Sequence, residues 1–382
     1  MKTNKADTAS TKKERNSNIE CLRIISMLLI IAFHATRVGY NSQDADFIVY
    51  AGGQMIGSWG VLGVDLFLIT SAWFLSDQNF RIKKVISIVF QTFSWVFAYS
   101  VLSVIYDFGK SRSIKYAVMN FCEGVARAIV QPLWSRCYWF VTSYVFLLII
   151  SPLLNKLLRT APKDRVRKVL LLFIFIPLYS QFGTSVVGDI IYFAYSYLMI
   201  GYWKRYGCAF LERAAKPCYF VSVSILIAVS RLLCYIPANS FFTKILVTGL
   251  HYTTGAIGRH SMILLFDALL IFFWVIKLAP HYNRAVNRVA ECTLGVYLFH
   301  ENSVLSFPNM VEHIFYRLTK IGFIGTSALF PLQYLAATVL VFISGAAIEY
   351  VRDMVIQKPF MNRLTRRYSA KLETIDAWFN SI

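Results

Sequence analysis

Ten apolar stretches, at roughly 21–37, 57–76, 85–106, 138–154, 169–182, 186–203, 217–236, 257–278, 289–306 and 327–351, decide what this chain can become. Most of them approach the ~20 residues that a helix needs to cross a bilayer. A single soluble core cannot hide so much apolar surface. The hydrophobic share is 57% and the charged share 15%, against about 45–50% and 25% in ordinary globular domains, and the mean hydropathy is +0.54. The expected fold is all-α, a polytopic membrane protein with about ten transmembrane helices. The fifth stretch is short, and its Pro177 predicts a kink there.

The net charge of +19 invites a nucleic-acid reading, but the Lys and Arg lie between the apolar blocks, where they orient a membrane protein. Roughly two thirds of the 39 basic residues fall in the two tails and the even-numbered gaps, the pattern of a chain with both termini cytoplasmic. The organisation is therefore a cytoplasmic lead at 1–19, a transmembrane domain at 20–351 and a basic cytoplasmic tail at 352–382, solvated or facing lipid. No cleavable signal peptide is expected, because a long polar lead precedes the first apolar run. The longest outer gap, 107–137, contains IKYAVMNFCEGVARAIV, which fits a helix lying on or dipping into the outer interface. Cys122 and Cys137 both fall there, leaving a disulfide open. The seven cysteines show no metal-ligand spacing, so no metal is implied.

Charges at membrane depth cost at least ~2.5 kcal/mol each and mark function. Arg23 and His34 of the first stretch are eleven residues apart, about three turns with ~20° left over. They share one face and stand about 16 Å apart along the axis. The second stretch, GSWGVLGVDLFLITSAWFL, carries glycines at 57, 60 and 63 and a buried Asp65. Counting along the stretch places Asp65 at the depth of His34 and predicts a carboxylate-to-imidazole contact. Ser71 is read as helix-packing glue rather than a nucleophile, because no GxSxG elbow surrounds it. Asp189, Arg231, Arg259, His260 and Asp267 are further candidates to line the interior. His300, Glu301 and Asn302 suit hydrogen bonding to a polyhydroxyl acceptor, with helix-end capping as the competing role. Trp139 adds an aromatic surface for a sugar.

IECLRIISMLLIIAFH with its Arg-x10-His, GVDLFLITSAWFL, YWFVTSYVFLLIISPLL and TLGVYLFHEN together resemble the acyltransferase-3 family of bacterial membrane acyltransferases. The resemblance spans most of the chain, with Ala72 where the family's second block has Gly. It implies an O-acyltransferase of the plasma membrane that moves an acetyl or other short acyl group from cytoplasmic acetyl-CoA to a cell-surface or lipid-linked polysaccharide. The YLFHEN block is similar to that of the branch found in capsule and exopolysaccharide clusters of Gram-positive bacteria. Carried onto this chain, the family's functional pair is Arg23, holding the CoA phosphate, and His34. His34 then acts as general base aided by Asp65, or carries the acyl group transiently. The competing class is a glycan flippase or polymerase, which acetyl-CoA dependence would separate.

Overall fold

The computed structural model describes residues 15–35, 58–110, 113–130, 138–175, 185–233, 240–253, 260–302, 309–324 and 329–381, and among these it is helical with no strand. In chain order the helices are α1 (Ser17–Ala35), α2 (Gly60–Leu75), α3 (Ile82–Gly109), α4 (Ile114–Val130), α5 (Trp139–Thr160), α6 (Lys163–Leu172), α7 (Val186–Tyr206) and α8 (Ala209–Ala214). They continue as α9 (Pro217–Leu233), α10 (Phe241–Thr253), α11 (Met262–Val275), α12 (Arg284–Glu291), α13 (Thr293–His300), α14 (Met310–Lys320), α15 (Phe330–Arg352) and α16 (Lys358–Ser381). Among the described residues, four helical stretches are long and apolar enough to cross a membrane: α1, α3, α5 and the continuous run Phe330–Ser381. Three shorter apolar helices, α2, α9 and α11, lie among them. Pro177, Arg259 and Cys137 lie outside the described residues.

Local chemistry sets several helix starts. The side chains of Ser185, Ser261 and Asn283 accept backbone N–H groups of the first turns of α7, α11 and α12, satisfying donors that a helix start leaves orphaned. At the other end of α7, Gly207 takes φ +73°, a conformation open to a residue without Cβ.

Glycine fixes the register between α1 and α2. A Cβ on Gly60 would lie 2.1 Å from Phe33 Cβ, and one on Gly63 2.5 Å from the Ser26 carbonyl oxygen. Position 60 thus meets 33 and position 63 meets 26–30, so the helices run antiparallel in van der Waals contact. The α12–α13 pair runs parallel to α1 instead. Ser17 Oγ accepts from the Asn283 N–H at 2.7 Å at one end, and His34 meets His300 at the other. Both pairs are 266 residues apart in sequence, so one constant offset carries the contact from end to end.

Helices α5 and α7 run in the same direction as α2. Tyr192 bonds Asp65 near the start of α7, and Gly201 packs against Ser76 and Leu158 near its end. Asn155 ties the three together, accepting from Tyr197 at 2.7 Å and donating to the Leu75 and Gln78 carbonyls.

Helix α15 closes the other side. Its buried Glu349 accepts from Gln91, from the Trp95 indole and twice from Arg352, at 2.7–2.8 Å. Arg352 also donates to Ser94 and Gln357. A carboxylate with four donors and a guanidinium bonded through all three nitrogens meet the condition under which a buried ion pair is tolerated.

The 107–137 gap holds α4, which folds back antiparallel along α3, with Gly124 against Ser100 and Asn120 donating to Asp107 at 3.0 Å. Small residues on the facing surfaces let the two backbones approach. Cys122 is an exposed free thiol on that helix. The tail is a helix with most of its residues exposed, and the far end of α16 docks on the start of α3. Asp376 accepts the Ile82 N–H at 2.6 Å, Asn380 bonds both backbone groups of Phe80, and Phe379 stacks on Phe80 at 4.3 Å. Asp376 supplies an acceptor and a negative charge where the α3 N-terminus needs both.

Candidate functional site

His34 ends α1, and its ring is buried against the end of α13. His34 Nδ1 lies 2.9 Å from His300 Nε2 and 3.3 Å from Glu301 Oε2. His300 Nδ1 is 2.7 Å from the Val296 carbonyl oxygen one turn earlier. A carbonyl only accepts, so Nδ1 of His300 carries the proton and its Nε2 accepts when the ring is neutral. His34 Nδ1 is then the donor, which places the lone pair of a neutral His34 ring on Nε2, the tautomer of a general base.

The end of α13 is held in place by its own carbonyls. The carbonyls of a helix's last turn lack intrahelical donors, and side chains supply two of them here: Leu298 accepts from the Tyr138 hydroxyl at 3.3 Å and Phe299 from the Tyr99 hydroxyl at 2.6 Å, while the Glu301 N–H closes the helix on the Tyr297 carbonyl. Tyr334 donates to the Ala32 carbonyl at 2.5 Å and fixes the end of α1 in the same way. None of these tyrosines stood out in the sequence, where nothing separates them from the other 19 of 22. Tertiary pairing gives them their roles, that of α13 with α3 and α5 for Tyr99 and Tyr138 and that of α1 with α15 for Tyr334.

The predicted contact of Asp65 with His34 is not made. Gly60 and Gly63 fix the face of α2 that meets α1, and Asp65 lies about 140° to 160° round from them at 100° per residue. Its Oδ1 accepts from the Tyr192 hydroxyl of α7 at 2.8 Å, and its Oδ2 has no hydrogen-bond partner. The register also sets Asp65 level with Leu28, about 9 Å along α1 from His34. Glu301 is the carboxylate that reaches the His34 ring.

Asp65 belongs to a second buried polar group. The Tyr192 ring stacks on that of His260 at 3.8 Å, and His260 Nε2 lies 3.0 Å from Asp189 Oδ1. Trp139 meets His260 edge-on at 5.8 Å. Asp267 is elsewhere, accepting from Ser224 at 2.6 Å. Asn302 Oδ1 accepts the Met310 N–H at 3.0 Å and so caps α14, and Glu301 also accepts from Asn309 at 3.3 Å.

Arg23 and His34 lie on one face of α1 by their spacing, and a chain of packed aromatic rings runs from the surroundings of one to those of the other. The Arg23 guanidinium lies 6.0 Å from the Phe67 centroid and 5.9 Å from that of Phe74. From there Phe67 meets Phe140, Phe140 meets Tyr297, and Tyr297 meets His300 at 5.3, 6.1 and 5.8 Å. One Arg23 nitrogen is 3.3 Å from Glu20, while its Nε is buried without a hydrogen-bond partner. An orphaned N–H on a half-buried guanidinium suits an anionic or carbonyl ligand. Among the described residues no group of three His, Cys, Asp or Glu side chains is placed to hold a metal ion.

No curated protein and no solved structure matches the chain. The family model described as "Acyltransferase domain" matches residues 16–350, a span that takes in Arg23, His34, Asp65, Trp139 and the His300–Asn302 cluster. By that match, over most of its length, the chain belongs to the acyltransferase-3 family.

Proposed function

We propose that this membrane acyltransferase moves an acetyl or other short acyl group from cytoplasmic acyl-CoA to a hydroxyl of a cell-surface or lipid-linked polysaccharide in a bacterial plasma membrane. The observation that carries the reading is the His34 ring, held by Nδ1 between His300 and Glu301, with Arg23 on the same helix face. With the N-terminal end of α1 cytoplasmic, Arg23 meets the phosphate end of the donor. The arm follows the aromatic wall and presents its thioester about 16 Å further on, beside His34.

In this reading His34 Nε2 removes the proton of the acceptor hydroxyl as its oxygen bonds to the acyl carbon. The thioester C–S bond breaks, and the same proton passes from His34 to the leaving sulfur. Glu301 and His300 keep the ring in the required tautomer and stabilise its protonated form, the part that an orienting carboxylate plays in hydrolytic triads. Phe67, Phe140 and Tyr297 keep water from the thioester. Trp139, Glu301 and Asn302 border the acceptor, and Asp65 supports the interior through Tyr192 rather than by touching His34.

Membranes carrying the chain, given acetyl-CoA labelled in the acetyl group, should place label in glycan, while membranes lacking it should not. Glycan export or polymerisation that proceeds at full rate without acetyl-CoA, with no label transferred, would replace this reading by the flippase or polymerase one.

A further inference from the structure

Three buried serines, one on each of three parallel helices, have hydroxyls without a hydrogen-bond partner: Ser71 of α2, Ser143 of α5 and Ser196 of α7. All are at most 2% exposed. Their helices are tied together by three phenylalanines, with Phe140 meeting both Phe67 and Phe193 at 5.3 Å. Each serine follows the phenylalanine of its own helix by three or four residues, which is one turn on and on the same side. Because the helices run in one direction, each hydroxyl lies about a turn beyond the phenylalanine of its own helix. Ser196 Oγ comes close to the Tyr192 hydroxyl, but without hydrogen-bond geometry.

Phe67, Ser71 and Phe74 form one stripe of α2, and the Arg23 guanidinium lies within about 6 Å of both rings that flank Ser71. The orphaned Arg23 Nε thus adds a fourth unsatisfied polar atom. Native interiors satisfy nearly all such groups, and four of them on helices joined by Phe67, Phe140 and Phe193 describe a seat for something polar.

We propose that Ser71, Ser143 and Ser196 hold the pantoyl hydroxyl and first amide of the acyl donor's phosphopantetheine arm, next to the phosphate end at Arg23. This rests on the acyl-CoA reading above. A hydroxyl donates and accepts, so three of them match an amide and an alcohol, whereas the aromatic wall beyond matches the thinner, less polar thioester end.

The test is Ser71→Ala, Ser143→Ala and Ser196→Ala, singly and combined, in purified full-length protein. The KM for acetyl-CoA should rise about threefold to tenfold for each hydroxyl lost, and the CoA-induced rise in the unfolding midpoint should shrink. Transfer from S-acetyl-N-acetylcysteamine, which lacks the pantoyl group, should not change. Without ligand the variants should unfold at the parent's temperature or higher, since alanine removes an unsatisfied hydroxyl; a purely structural role predicts the reverse. A combined variant with the parent's KM and the parent's CoA-induced shift would overturn the proposal. A parent that neither transfers acetyl nor responds to CoA would overturn the acyl-CoA reading, and this seat with it.

Discussion

Gly63→Ala asks whether close contact between α1 and α2 positions the site. The added Cβ would stand 2.5 Å from the Ser26 carbonyl oxygen and 3.1 Å from both Leu29 Cβ and Ile30 Cγ1. Ordinary contact begins near 3.4 Å, so the helices must part by about 0.9 Å, because a backbone carbonyl cannot turn aside as a side-chain tip can. Overpacking of this kind costs about 1–3 kcal/mol. The displacement also moves Arg23 away from Phe67 and Phe74, and a misplacement near 1 Å can cost about 100-fold in rate. The assay is the thermal unfolding midpoint in detergent, followed by acetyl transfer at a temperature where the variant remains folded. Gly109→Ala is the control, because nothing lies within 4 Å of its Cβ. A Gly63→Ala protein with the midpoint and rate of the Gly109→Ala control would refute the argument that this contact sets the site.

Glu349→Ala should be among the most destabilising single changes, by about 3–5 kcal/mol, since it strands the buried Arg352 charge; replacing Arg352 in the same protein should recover part of the lost midpoint. Tyr99→Phe removes the donor to the Phe299 carbonyl and should cost about 1 kcal/mol, with transfer falling further than stability because His300 is the next residue. Asn302→Ala should lower stability by about 0.5–2 kcal/mol through loss of the α14 cap, and a large rise in acceptor KM without loss of stability would instead mark Asn302 as an acceptor ligand. Phe379→Ala should free the tail from Phe80, which protease cleavage within 358–381 would register as faster than in the parent.

The helices were largely legible, because apolar run length is a property of the sequence alone. So was the Arg23–His34 stripe, which needs only 3.6-residue periodicity within one helix. The partner of His34 was not. His300 and Glu301 were candidates in their own right, but the constant offset of 266 that brings them to His34 arises from parallel packing of two distant helices, and no local pattern encodes it. Asp65 went astray for a related reason. Its depth was counted from the edge of an apolar stretch, whereas the true register is set by Gly60 and Gly63, and the face that those glycines turn to α1 is the one opposite Asp65. Arg352 was read with the basic tail because charge counts do not show that Glu349, three residues before it, is buried with Gln91 and Trp95. The α3–α4 hairpin escaped too, since an amphipathic stretch packs equally well on a lipid interface or on a neighbouring helix.

The account turns on His34 as the base that activates the acceptor. The direct test is single-turnover transfer of labelled acetyl from acetyl-CoA to glycan by the parent and by His34→Ala, with CoA binding measured on both. The account predicts that the variant binds CoA like the parent and transfers at a rate lower by about 100-fold or more. Transfer at the parent's rate by a folded His34→Ala protein would contradict it.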